Sequence, residues 1–181
     1  MLRLFVAVDP PVTIKQHLLL LSRSIFGARW QNLEQIHITI NFMGEVNNSQ
    51  LPLIIGALAS IKAEPIELNI NGVDYFGSNR QPRTLYAKVV PNPELIKLSK
   101  QINDALSDID IKIEKRKFKP HITLARLKQT SYQSVGQFIQ QEALFKTESF
   151  WLDEFHLFSS KLKPEGAQYS IEGSFALDYT N

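Results

Sequence analysis

The chain has no cysteine among its 181 residues. That excludes disulfide staples, thiolate nucleophiles, iron–sulfur clusters and Cys-ligated zinc. An excess of one charge is also missing: 20 Lys and Arg face 18 Asp and Glu, for a net charge of +2. A broad electrostatic footprint for duplex nucleic acid is therefore absent, while a short RNA end or a nucleotide stays compatible. No apolar run approaches the ~20 residues needed to span a bilayer. The short apolar opening, Leu2 to Val8, is ended by Asp9, Pro10 and Pro11 and reads as a first strand rather than a signal peptide. A cytoplasmic protein with no membrane association is the resulting expectation. There is no glycine-rich phosphate loop of either common kind, so nucleotide-triphosphatase and dinucleotide-binding folds have no support. Nor is there a low-complexity segment or a flexible linker. The length suits one domain, or two tightly joined lobes, with a core of ordinary size.

What the chain does have is a repeat. His37-Ile38-Thr39-Ile40 returns as His121-Ile122-Thr123-Leu124, 84 positions later. Both copies alternate in the manner of a strand, where residues i and i+2 share a face. His37 and Thr39 therefore project together, as do His121 and Thr123. Each pair sets an imidazole that exchanges protons near neutral pH beside a hydroxyl that bonds an oxyanion. Two such pairs across one cleft would bracket a phosphate with an acid and a base. One copy alone would be a weak signal. Two copies at nearly half the chain length suggest an internal duplication, the alternative being two ordinary strands that happen to hold His and Thr.

The surrounding pattern predicts strand Leu2–Val8, then a helix from Val12 to about Phe26. The first motif strand is expected at Gln35–Met43, closed by Gly44, followed by a helix at Ser49–Ile61. Strands at Ile66–Phe76 and Thr84–Val90 flank a turn-rich stretch. Leu95, Leu98, Ile102 and Leu106 mark a helix over Pro93–Ser107. The second motif strand is expected at Phe118–Leu127, then a helix at Tyr132–Leu144 and strands at Phe150–Phe158 and Gln168–Leu177. Helix–strand–helix–strand occurs twice, once around each motif. The order suits an α+β fold: two similar lobes of antiparallel sheet flanked by helices, with a cleft between them, in one bilobal domain spanning residues 1–181.

These residues resemble the 2H phosphoesterase superfamily. Within it the chain is most similar to the bacterial and archaeal RNA 2′,3′-cyclic phosphodiesterases, also called 2′-5′ RNA ligase-like proteins. The resemblance runs through Leu2–Val8, His37–Gly44, Arg116–Arg126 and the tail Ser160–Tyr169. Its most specific piece is the second motif, with Pro120 before and Arg126 after. Ile40 and Met43 stand where leucine is commoner, and Tyr86 where tryptophan is; none of these is expected to touch the chemistry. The resemblance implies hydrolysis of 2′,3′-cyclic phosphate at RNA ends to a 2′-phosphomonoester. It implies His37 as general acid, His121 as general base, and Thr39, Thr123 and Arg126 as phosphate contacts. No metal and no cofactor is expected, because His-x-Thr lacks the further ligands a divalent site wants. RNA ends or nucleoside 2′,3′-cyclic phosphates are the expected partners, and a monomer the expected state. Ligation through a 2′-5′ bond, or a non-catalytic RNA- or nucleotide-binding role, would use the same scaffold.

Some residues stay open at this level. Regular strand parity turns Arg126 away from His121, so it reaches the cleft only if the strand twists, bulges or ends before it. Lys112, Lys115, Arg116, Lys117 and Lys119 form a basic run that either steers RNA or is a solvated loop. His17 and His156 lack a Thr two places on and are expected to be structural or superficial. Phe42, Tyr75, Phe76, Trp30 and Trp151 suit either base stacking or core packing, with packing the simpler role. Ser159 and Ser160 show no nucleophile elbow.

Overall fold

The computed structural model describes residues 1–113, 117–164 and 166–179. Lys115 and Arg116 of the basic run and Glu165 of the tail lie outside the described residues. Among the described residues, ten strands and four helices follow one another as β1 (Leu2–Val8), α1 (Val12–Leu19), β2 (Ala28–Trp30), β3 (Ile38–Val46), α2 (Leu51–Ala59), β4 (Ile66–Leu68) and β5 (Ile70–Ser78). Then come β6 (Gln81–Val89), α3 (Pro93–Ser107), β7 (His121–Leu127), α4 (Tyr132–Gln141), β8 (Phe150–Leu152), β9 (Glu154–Lys163) and β10 (Gly166–Ala176). The architecture is α+β and antiparallel, as expected.

One open eight-stranded sheet runs β10-β9-β1-β3-β7-β6-β5, with β2 paired to β7, and β4 and β8 form a separate two-stranded sheet. The main sheet has two halves. β10, β9, β1 and β3 make one; β7, β6, β5 and β2 make the other. They are joined where β3 meets β7, and the registered pair there is Ile38 opposite Ile122. Both isoleucines are fully buried. They sit in one core with Leu4, Val6, Ile40, Leu124 and Leu157. The hydrophobic seam between the halves is thus made by the middle residue of each motif.

The helices form where apolar spacing asks for them. On α3 the residues Leu95, Leu98, Ile102 and Leu106 are buried on one stripe, and the Asn92 side chain caps the Leu95 amide. Beneath β3, buried Asn41 donates to Asn103 of α3 at 2.6 Å. α4 starts with Ser131 accepting from the Ser134 amide and buries Val135 and Phe138.

Three expectations are corrected. The first helix ends at Leu19, not near Phe26, and the chain beyond it supplies the short strand β2. Gly27 makes that possible: at φ +77°, any Cβ there would lie 2.0 Å from the Lys128 carbonyl oxygen. The first motif strand begins at Ile38, after a capped 3-10 turn at Leu33–Gln35, and Gly44 lies within it rather than closing it. The long runs at Ile66–Phe76 and Phe150–Phe158 each split in two, because β4 and β8 leave the main sheet to pair with each other.

Candidate active site

Ile38 opposite Ile122 in an antiparallel ladder fixes what surrounds it. Facing residues share a face, and neighbours along a strand take the other. The isoleucines point into the core. His37, Thr39, His121 and Thr123 therefore project together from the opposite face, His37 on the Thr123 side and Thr39 on the His121 side. The charge of His121 acts on His37 across this gap. A local two-fold relation through the isoleucine pair exchanges one motif with the other.

The local geometry repeats as well. His37 Nδ1 donates to the Gln35 carbonyl at 2.8 Å, and His121 Nδ1 donates to the Lys119 carbonyl at 2.7 Å. A carbonyl only accepts, so each ring carries its proton on Nδ1 and turns Nε2 outward. His37 Nε2 lies 3.0 Å from the Thr39 hydroxyl. Both rings are half-buried and boxed by aromatics. His37 meets Phe5 at 5.1 Å and the edge of Tyr169 at 5.2 Å. His121 meets Phe76 at 4.8 Å and Tyr86 at 5.4 Å. Burial lowers His37 from the usual 6.5 to about 4; the Gln35 carbonyl opposes this, and the charges of Lys15, Arg126 and His121 add to it. Burial also lowers His121, opposed by the Lys119 carbonyl and helped by the Arg126 and Lys119 charges.

Arg126 comes round to the same face because of a bulge. Leu85 pairs with Ala125 and Tyr86 with Thr123, which leaves Leu124 extra. Leu124 and Ala125 are consequently both buried, and Arg126 emerges beside Thr123. Its guanidinium donates to Thr84 at 3.2 Å. The first motif has the matching defect: Val6 pairs with Asn41 and Ala7 with Thr39, leaving Ile40 extra. Phe42 then takes the place that Arg126 takes in the other half, over Phe5 instead of Thr84. The two halves share a frame and differ in what they present, an aromatic pair on one side and a hydroxyl with a guanidinium on the other.

A cavity of about 260 Å³ takes in His37, Thr39 and Arg126, with Arg3, Arg29 and Tyr169 also on its wall. His121 and Thr123 are not among its lining residues; they reach the same face one strand over. Several neighbours of this cleft were not singled out by the sequence. Phe5, Tyr169 and Arg29 stand on other strands, and only the pairing of β1, β2 and β10 carries them here. Tyr86 corrects an expectation, since the departure from tryptophan lies directly on His121. Its hydroxyl accepts from Lys119 at 2.7 Å and lies 3.3 Å from Asp74.

The other residues lie elsewhere. His17 is exposed on α1 against Phe145 at 5.1 Å. His156 is buried and bonded to the Ser174 hydroxyl at 2.9 Å. Tyr75 packs on Tyr132 and donates to Asn79. Trp30 packs edge-on to Phe138, and Trp151 is exposed on β8. Of the basic run, Lys119 sits over Phe76 and Tyr86, each at 5.1 Å. Among the described residues no helix is long and apolar enough to cross a membrane.

Known proteins bear on this arrangement. The profile of the LigT like phosphoesterases matches residues 8–86 and 89–169, one motif in each stretch. A Thermus thermophilus protein named RNA 2′,3′-cyclic phosphodiesterase is 31% identical, over 97% of this chain and 90% of its own length. One of the same name from Thermotoga maritima is 28% identical, over 94% of this chain and 92% of its own. A crystal structure of a Thermus thermophilus protein superposes with a TM-score of 0.78 at 26% identity, covering 97% of each chain. The chain belongs to the LigT-like phosphoesterase family, within the 2H phosphoesterases.

Proposed function

We propose that this protein hydrolyses 2′,3′-cyclic phosphates at RNA ends to 2′-phosphomonoesters. The observation that carries the reading is the Ile38–Ile122 pair, which sets two imidazoles on one face of the sheet. The shared name of the relatives supports the substrate. His121 takes a proton from water as its oxygen attacks phosphorus. The bond from phosphorus to the 3′-oxygen breaks, and His37 gives its proton to that oxygen. The 2′-ester bond survives. Attack and departure are in line, so donor and acceptor must approach from different strands, which one motif alone does not provide. Thr39, Thr123 and Arg126 hold the non-bridging oxygens, whose charge grows in the transition state.

The free site favours neutral imidazoles. A bound phosphate anion shifts both back towards the protonated form and charges the donor when substrate is present. The protein supplies no metal in this scheme, and no cofactor. The matching bulges and the two profile matches support a duplicated unit within one bilobal domain.

The test is hydrolysis of nucleoside 2′,3′-cyclic phosphates by wild type, His37→Ala and His121→Ala. Each variant should lose roughly 10²-fold or more, the usual size of an acid–base contribution. Wild-type rates in either would remove that histidine from the reaction, and loss of turnover with a chelator would overturn the metal-free scheme. A cyclic-phosphate oligonucleotide with a 5′-hydroxyl partner should yield hydrolysis, not a joined product. Binding without turnover would favour a non-catalytic role.

A further inference from the structure

One wall of the cleft carries more positive charge than a cyclic phosphate needs. That substrate bears one negative charge, and Arg126 with the two motifs already answers it. Arg3, Arg29 and Lys163 line the same cavity, and among the described residues no carboxylate does. None of the three makes an ion pair within 4 Å among the described residues; Glu45 stands opposite Arg3 in the ladder without pairing to it.

These cations come from three separate strands. Arg3 lies on β1, two residues beyond Phe5, or about 7 Å along the strand. Phe5 in turn packs on His37. The Arg3 guanidinium sits 5.1 Å above the Phe42 ring. Arg29 is the ladder partner of Arg126. It reaches across to the other half of the sheet: its Cζ is 4.0 Å from where a Cβ on Gly166 would stand. Gly166, at φ +135°, follows Lys163 in the β9–β10 hairpin, and Gln35 closes that end by donating to the Ala167 carbonyl at 2.9 Å. The charges of Arg126, Arg3 and Arg29 all act on the Tyr169 hydroxyl, whose ring abuts His37. The result is a positive strip with an aromatic floor, starting at the reaction centre and leading away from it.

We propose that this strip is a second phosphate subsite, which holds the phosphodiester immediately 5′ of the cyclic end. The enzyme then prefers an RNA terminus to a free nucleoside 2′,3′-cyclic phosphate. Arg29 and Lys163 are its outer contacts, and Arg3 is held ready on Phe42. The inference rests on the reaction proposed above.

The test compares uridine 2′,3′-cyclic phosphate with the same compound carrying a 5′-phosphate. Wild type should prefer the 5′-phosphorylated compound in kcat/KM by about tenfold or more, the weight of a charge-assisted contact. Arg29→Gln and Lys163→Gln, made separately on exposed residues, should each shrink that ratio several-fold, and added salt should shrink it in wild type. Equal rates on both compounds in wild type would overturn the subsite and leave the reaction standing. A ratio unchanged in both variants would overturn the residues assigned to it. Turnover of neither compound would overturn the reaction, and the subsite with it. A second strand is another source of a neighbouring phosphodiester. If a 5′-hydroxyl dinucleotide inhibits wild type but not Arg29→Gln, while the 5′-phosphate preference is absent, the strip serves that strand and the present assignment is wrong.

Discussion

His37 and His121 each use Nδ1 to hold the backbone two residues earlier, and that bond sets the tautomer. Their titration follows from burial. The unfolded chain protonates His37 near 6.5, while in the fold burial holds it to about 4. As pH falls between those values the unfolded state binds more protons, so the contribution of His37 is full above about 6.5 and is lost towards about 4. Urea midpoints should therefore drop less steeply from pH 7 to pH 4.5 for His37→Asn than for wild type. An identical slope would contradict a buried neutral imidazole. At this scale the sequence was legible for the four motif residues, because alternation alone joins each His to its Thr. It was not legible for Arg126. Strand parity turns it the wrong way, and the bulge at Leu124 that restores it has no local signature.

Elements were legible where their periodicity is strong. α3 matches its predicted span, Pro93–Ser107, since four buried apolar residues at helical spacing and an Asn cap agree. Replacing Ile102, fully buried on that stripe, by Ala should cost about 2–5 kcal/mol in a denaturant titration. A cost below about 1 kcal/mol would mean the stripe is not packed as described. β2 was not legible. Its three residues carry no alternation, and they become a strand only because Gly27 lets the chain come close against Lys128. Gly27→Ala should destabilise by about 1–3 kcal/mol, through both its positive φ and the blocked approach. The same substitution should weaken the 5′-phosphate preference, because Arg29 is on β2. Native stability with full preference would detach β2 from the subsite.

The whole molecule is two half-sheets meeting at one pair of isoleucines. The general arrangement followed from the repeated helix–strand order. The joining of the halves into a single open sheet did not, because it depends on register between strands 84 positions apart, which is a tertiary fact. A frame repeated in both halves supplies two equivalent imidazoles, and the unequal residues around them, Phe42 with Phe5 against Arg126 with Thr84, give those imidazoles unequal surroundings. Catalysis by such a pair needs one ring charged and one neutral, a state most populated between their two apparent pKa values. Both rings are held below the usual range in the free protein. The most direct measurement is the pH dependence of kcat/KM on a nucleoside 2′,3′-cyclic phosphate. A bell is expected, with its maximum on the acidic side of 6.5 and a tenfold fall per pH unit above it, while the maximum in kcat lies at higher pH because bound phosphate raises both groups. A flat profile from pH 5 to pH 8, or one with a single limb, would contradict the pairing of the two histidines.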